Sequence, residues 1–249
     1  MDRDPYRDFA SRYDAFSEGT AEAAALRQRF FKGLFERHGV RRLLDCACGN
    51  GTDLLLFRSL CLDVVGSDLS DAMLALAKER LEAAGVDAPL VRADFRELSG
   101  HVDGPFDAVV CLSTSLPHLP EDAEILKALS SMRNVLRDGG PLVLDQGMTD
   151  RQWAEKPRFI PAINTPELCR LMAIDYAKDR FTVHVVDFAD VGAERAFYHD
   201  TFVYRRLLRD DYDRLLRAAG FRDVSFYGRF DEEPYDEQQS PRLICVAVK

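Results

Sequence analysis

Between Leu43 and Phe57 the chain carries two carboxylates, Asp45 and Asp53, two glycines, Gly49 and Gly51, and no lysine or arginine. An apolar run ends at Asp45-Cys46-Ala47-Cys48, the glycines follow, and a second apolar run begins just after Thr52. Glycines at such a bend let the backbone turn tightly and let a ligand lie where a Cβ would intrude. The amides at the start of the next helix face that ligand. The bend could hold a dinucleotide, a phosphate or an adenosyl group, and its charges separate the three. Asp45 would repel a pyrophosphate, with no cation in the segment to offset it. The third glycine of the dinucleotide fingerprint is missing, as is the Lys-Ser/Thr pair of a phosphate loop. A cofactor with an ammonium and a sulfonium suits these acids. The pattern therefore favours S-adenosylmethionine, with Asp45, Ala47, Gly49, Gly51 and Asp53 around it.

Three further segments end apolar runs with residues able to serve the same ligand. Gly66-Ser67-Asp68-Leu69 places an acid at about the distance from the glycines where a carboxylate meets ribose hydroxyls. Asp68 also suits the start of a helix over 70–84. Ala93-Asp94-Phe95 offers an acceptor for an adenine amino group, with Phe95 or Met73 to pack on the ring; a turn residue and a core methionine are the plainer readings. Leu112-Ser113-Thr114-Ser115 is a small-residue turn whose backbone could meet an ammonium, and Leu116-Pro117-His118 follows it. His118 is the best-placed group to receive a proton; pinning the loop beside Pro117 is its structural alternative. His38, His101 and His184 have no evident site.

These segments need a scaffold that brings strand ends together. Strands are expected at 42–46, 62–67, 88–92, 106–111 and 141–146, and helices at 52–60, 70–84 and 121–137. The alternation predicts an α/β, Rossmann-like, doubly wound sheet that is mostly parallel. Residues 3–16 and 20–38 read as amphipathic helices. Within 150–206 three aromatic and β-branched stretches, 171–176, 181–188 and 196–206, read as an antiparallel insert after the fifth strand. Helix 210–219, strand 222–230 and strand 242–248 then complete seven strands with a terminal antiparallel hairpin. The whole is one domain: a helical lid over 1–39, a cofactor core over 40–149, the insert over 150–206 on the acceptor side, and a return to the core over 207–249.

Composition narrows the partners. Among 249 residues, 42 acidic against 33 basic side chains give a net charge of −9, which disfavours nucleic acid. No apolar run reaches bilayer length, and the charged opening Met1-Asp2-Arg3-Asp4-Pro5 is no signal peptide, so a cytoplasmic setting without membrane contact is expected. Cys46, Cys48, Cys111 and Cys245 fall in predicted strands, where cysteine behaves as a small apolar residue. Cys46-x-Cys48 is too close and isolated for zinc, and no metal is expected. The pattern leaves the oligomeric state open.

Four segments carry a resemblance: Asp45 to Asp53; Asp68-Leu69-Ser70-Asp71-Ala72-Met73; Phe106-Asp107-Ala108-Val109-Val110-Cys111-Leu112; and Ser115-Leu116-Pro117-His118-Leu119. With them the chain resembles class I S-adenosylmethionine-dependent methyltransferases over nearly its whole length, and most of all their glycine N-methyltransferase-like group. The resemblance implies that Ala47, Gly49, Asp68, Asp94, Phe95 and Leu112 to Ser115 contact the cofactor, with Leu69 and Met73 beside them. It makes Tyr6 and Tyr13 lid aromatics, with helix-face packing as the alternative, and Arg27 or Arg29 a grip on the cofactor carboxylate. Two departures stand out. Ser113-Thr114 replaces the usual Gly-Asn, and Gly147 stands where glycine-methylating members carry an arginine for the amino-acid carboxylate.

The activity so implied is methyl transfer to a small molecule, with an amine nitrogen as leading acceptor and a metabolite hydroxyl as runner-up. Tyr198, His199 and Tyr204 of the insert are candidates to line the acceptor pocket. A cofactor-binding module without turnover is the reading from another class, and a nicotinamide oxidoreductase a distant third.

Overall fold

A computed structural model describes residues 4, 6–16, 21–60, 62–191 and 194–249. Residues 1–3, 5 and 20 of the expected N-terminal segments lie outside the described residues. In chain order the elements are α1 (Ala21–His38), β1 (Arg42–Asp45), α2 (Thr52–Ser59), β2 (Asp63–Asp68), α3 (Asp71–Ala83), β3 (Leu90–Arg92), β4 (Ala108–Cys111), α4 (Asp122–Val135) and β5 (Pro141–Gln146). There follow α5 (Asp150–Glu155), β6 (Phe159–Asn164), β7 (Leu168–Tyr176), β8 (Arg180–Val191), β9 (Glu194–Arg205), α6 (Arg209–Ala218), β10 (Arg222–Tyr227) and β11 (Leu243–Val248).

Seven strands form the main sheet in the order β10-β11-β5-β4-β1-β2-β3. β11 runs antiparallel to both neighbours, and the other pairs are parallel. Parallel strands covered on both faces read as nearly continuous apolar runs, which is why these strands were legible. Leu43 joins Phe31, Leu54 and Phe57 on one face, while its neighbour Leu44 joins Leu129, Met132 and Leu215 on the other. The chain leaves β1 toward β3, then returns to β4 on the opposite side of β1. That reversal opens a crevice at the carboxyl ends of β1 and β4, the place where such sheets take ligands.

Three regions differ from the sequence-based expectation. The N-terminal segment is not an α-helix: residues 6–9 form turns and Ala10–Phe16 a 3-10 helix. Tyr6 and Phe9 in the turns and Arg12 in the 3-10 helix each take tertiary partners, His118 for Tyr6, Phe202 for Phe9 and Asp187 for Arg12. The insert has four strands and a short helix rather than three strands. The additional strand β6 contains Pro161 and a register shift, so its pattern is broken, and it lies at the sheet edge, where proline is tolerated. Helix α5 opens with a reciprocal cap: Thr149 Oγ1 accepts from the Gln152 amide and Gln152 Oε1 from the Thr149 amide, both at 3.2 Å. Finally, Cys46 and Cys48 sit in the bend beyond β1 rather than inside a strand, and both are buried.

Candidate functional site

The site begins where β1 ends. Asp45 is 1 % exposed, and its Oδ1 accepts the Ala47 amide at 3.2 Å. Gly49 and Gly51 have φ of 52° and 78°, conformations that favour glycine. A Cβ on Gly51 would stand 3.1 Å from Ala77 Cα, so the bend is pressed onto α3. Asp68, the last residue of β2, spans the gap: Oδ2 accepts the Gly49 amide at 2.8 Å and Oδ1 the Ser70 amide at 2.9 Å. Ser70 caps α3 by accepting from the Met73 amide, and buried Met73 lies under Gly49. Leu69, by contrast, is exposed.

Burial, then the neighbouring Asp53, pushes the Asp45 carboxyl well above its ordinary range. Asp68 is also raised by burial, against the opposing pull of the Ser70 and Gly49 amides. Burial raises Asp53 too, although Arg27 Nη2 bonds it at 2.6 Å. Buried Asp45 and partly buried Asp53 and Asp68 thus gather three acids around one glycine bend. Of the two arginines considered in α1, Arg27 is thus at the bend, while Arg29 is exposed.

The end of β4 supplies the opposite wall. Ser113 and Thr114 both adopt left-handed φ, 59° and 67°, which explains physically why a Gly-Asn pair suits this turn. The Ser113 amide donates to Asp145 Oδ1 at 2.5 Å and the Thr114 amide to the Asp145 carbonyl at 3.0 Å. Ser115 Oγ donates to the carbonyl of buried Leu112 at 2.7 Å. Burial would raise Asp145, but Arg242, Arg27 and the Ser113 amide outweigh it and hold it below its ordinary range. Next to Asp145 in β5, past Gln146, an added Cβ on Gly147 would meet nothing within 4 Å.

The N-terminal segment closes over these ends. Ser70 Oγ donates to Asp4 Oδ2 at 2.7 Å, and the Tyr6 hydroxyl and His118 Nε2 are hydrogen-bonded at 2.8 Å. The Tyr204 ring lies 4.5 Å from that of His118, and the Tyr13 ring 6.0 Å from that of Tyr6. Burial pushes His118 down to about 4, so its imidazole is neutral at neutral pH. Burial, then Asp53 and Asp68, pushes Tyr13 up to about 12.

Tyr6, Tyr13, His118 and Tyr204 are therefore brought together beside the glycine bend, and other expected residues are not. The Asp94 carboxylate accepts from Arg96, whose amide, Nε and Nη2 donate to it at 2.8, 3.0 and 2.6 Å. Phe95 is half-buried against the core. Alternation along β9 separates Tyr198 from His199. Tyr198 faces inward under Arg12, 4.1 Å from guanidinium to ring centroid, whereas His199 faces outward and stacks on His184.

Sequence reasoning missed the clamp that ties the lid to the insert. Arg12 donates to Asp187 at 2.5 Å and Asp200 at 2.7 Å, and Arg170 grips Asp187 through two bonds of 2.6 and 2.7 Å. Arg170 Nη2 also donates to the Arg12 carbonyl at 2.9 Å. Phe9 fills the space between Val185 and Phe202. Asp145 was the exception: its place at the end of β5 was a usable signal.

Comparison with known proteins adds relatives to this geometry. Residues 43–140 match a family described as a methyltransferase domain. The chain is 30% identical to the glycine/sarcosine N-methyltransferase of Aphanothece halophytica, across 97% of this chain and 88% of that one. A sugar N-methyltransferase, KedS8 of Streptoalloteichus sp ATCC 53650, superposes with a TM-score of 0.75 at 25% identity, covering 95% and 92% of the two chains. An S-adenosylmethionine-dependent methyltransferase from Clostridium acetobutylicum ATCC 824 has a TM-score of 0.81 over 98% of each chain, at 16% identity, a likeness of fold.

Proposed function

The chain belongs to the S-adenosylmethionine-dependent methyltransferases and is most similar to their glycine N-methyltransferase-like group; from that premise we propose that it methylates the nitrogen of a small-molecule amine. One observation carries the reading of the site: three carboxyls, Asp45 buried and Asp53 and Asp68 partly so, surround a glycine bend packed tightly onto α3, and each is raised above its ordinary range. That donor set fits a ligand with two positive centres. S-adenosylmethionine supplies a methyl group on a sulfonium, an electrophile with its leaving group already in place.

The chain's own residues then bind, orient and exclude water. Asp68 keeps lone pairs beyond the two amides it accepts, and these suit ribose hydroxyls. Gly49 and Gly51, at positive φ, let the bend pack onto Met73 and α3, and the bend so shaped is what the ligand lies against. The turn at Leu112 to Ser115 commits the amides of Ser113 and Thr114 to Asp145, so its carbonyls are what remains for an ammonium. Tyr6 and Tyr13 cover the ligand from the lid, and Arg27 stands near enough to pair with a carboxylate. Tyr204 walls the acceptor side, and the open space at Gly147 admits an acceptor's bulk.

His118 decides between amine and hydroxyl. A hydroxyl must shed its proton as it attacks, whereas a free amine attacks through its lone pair and loses its proton afterwards. An imidazole held at about 4 is a poor base for the first task. His118, fixed by the Tyr6 hydroxyl, serves better as a neutral positioning group that accepts a hydrogen bond or offers one. Holding the nucleophile about 3 Å from the methyl group in a closed site supplies much of the acceleration.

The test is calorimetric titration with S-adenosylmethionine, followed by a screen of amino acids, amino sugars and matched alcohols for methyl transfer. Transfer to amines alone supports the reading. Transfer to the alcohols with the amines inert overturns it. Among the described residues no helix is long and apolar enough to cross a membrane.

A further inference from the structure

Two consecutive residues of the turn after β4, Ser113 and Thr114, hold left-handed backbone, with φ of 59° and 67°. A Cβ makes that region unfavourable, and a β-branched threonine more so. Such a pair persists only where its surroundings impose it. Here the surroundings are hydrogen bonds to the end of β5. The Ser113 amide donates to Asp145 Oδ1 at 2.5 Å, the Thr114 amide to the Asp145 carbonyl at 3.0 Å, and the Gly147 amide to Thr114 Oγ1 at 3.1 Å. The first of these depends on a carboxylate whose side chain has no exposed surface. A buried carboxylate keeps its charge and its orientation only with a partner.

That partner comes from the far end of the chain. Arg242 donates to Asp145 Oδ2 through Nε at 3.1 Å and also through Nη2. It stands one residue before β11, and its amide donates to the Gly228 carbonyl at 3.3 Å. A Cβ on Gly228 would fall 2.2 Å from Ser240 Oγ, so the connection from β10 to β11 is packed closely where it delivers the arginine. Ser240 Oγ also accepts the Asp236 amide at 2.8 Å. The two oxygens of one carboxylate thus tie a guanidinium from one strand to a strained turn that follows another.

We infer that Arg242 is a positioning residue for the cofactor: acting through Asp145, it holds the Ser113-Thr114 turn in the shape that aims its carbonyls at the ammonium. The inference rests on the proposed methyltransferase site, which puts that ammonium at the turn. Arg242 itself touches no ligand atom in this role, since its charge is answered by Asp145. A guanidinium that gripped the cofactor carboxylate would respond to different ligands, and three of them separate the roles. S-adenosylmethionine has both ammonium and carboxylate, decarboxylated S-adenosylmethionine has the ammonium alone, and methylthioadenosine has neither.

Calorimetric titration of the full chain with each ligand is the test. Arg242→Gln is expected to weaken both ammonium-bearing ligands by about tenfold and to change methylthioadenosine by less than about twofold. Adding Ser113→Gly to Arg242→Gln recovers several-fold of the loss, because glycine takes left-handed backbone without an imposed bond. Should Arg242→Gln fail to fold, Arg242→Lys replaces it, a point charge without the fork, and the same ordering of the three ligands is expected. A loss confined to S-adenosylmethionine makes Arg242 a carboxylate ligand and overturns the inference. An equal loss on all three ligands, no loss on any, or a double variant no better than the single one overturns it as well. A wild-type chain that binds none of the three removes the methyltransferase reading beneath it, an outcome separate from these.

Discussion

Asp45 and Asp187 are both almost fully buried carboxylates, 1 % and 0 % exposed, and they have opposite electrostatic lives. At Asp187 burial is outweighed by Arg170 and Arg12, which hold its carboxyl below the ordinary range. At Asp45 burial prevails, helped by Asp53, and among the described residues no guanidinium bonds it. The first is a finished ion cluster that joins lid to insert. The second, on the proposed function, is an acid whose compensation arrives with the ligand. Burial of charge is costly in either place, and the difference lies in when the compensation comes.

The largest way to break this comparison is Asp187→Ala. It leaves Arg170 buried beside a lost partner, and such losses cost about 3–5 kcal/mol. The urea midpoint should fall accordingly, and a stability within experimental scatter of the wild type would deny the cluster its structural role.

Acid probes the same contrast through His118. Its pKa falls from 6.5 in the unfolded chain to about 4 when folded. As pH drops from 6.5 toward 4 the unfolded state takes up a proton that the folded state refuses, so stability is present above 6.5 and falls through this window. The full loss by pH 4 is about 3 kcal/mol. Asp45 and Asp68, with raised pKa, act oppositely, gaining stability as pH falls toward the ordinary carboxylate value. Comparing wild type with His118→Asn at pH 7 and pH 5 cancels the acids and isolates the imidazole. Equal acid sensitivity of the two proteins would contradict a buried neutral His118.

A smaller effect is expected at the ligand-facing acid. Asp68→Ala should weaken S-adenosylmethionine binding by at least tenfold, about 1.4 kcal/mol, by removing a charged acceptor. Calorimetry on a folded variant reads this directly, and an unchanged dissociation constant would detach Asp68 from the cofactor. Smallest is Tyr6→Phe, which deletes one hydrogen bond worth about 1 kcal/mol. A several-fold drop in turnover with unchanged cofactor affinity is the outcome expected of a positioning contact; a change confined to affinity would reassign Tyr6 to the cofactor.

The two regions also differ in how readable they are. The main sheet announces itself because its central strands β1, β4, β5 and β11 are buried on both faces, and its ends follow by counting, which located Asp45, Gly49, Asp68 and His118. The lid clamp joins residues 175 and 188 positions apart, a separation at which no local periodicity survives. His199 was grouped with Tyr198 and Tyr204 because alternation was not carried through the strand. Some of what was missed was local after all. Arg96 stands two residues from Asp94 and bonds its carboxylate, and Thr149-x-x-Gln152 spells the cap of α5. Aromatic residues of the lid misled for a physical reason, since their partners lie in the insert rather than along a helix face.

Position 147 has a practical corollary. A Cβ introduced there would meet nothing within 4 Å, so that first atom displaces nothing around it. On the proposed function this point borders the acceptor, so a single substitution there should shift acceptor preference in size or in charge.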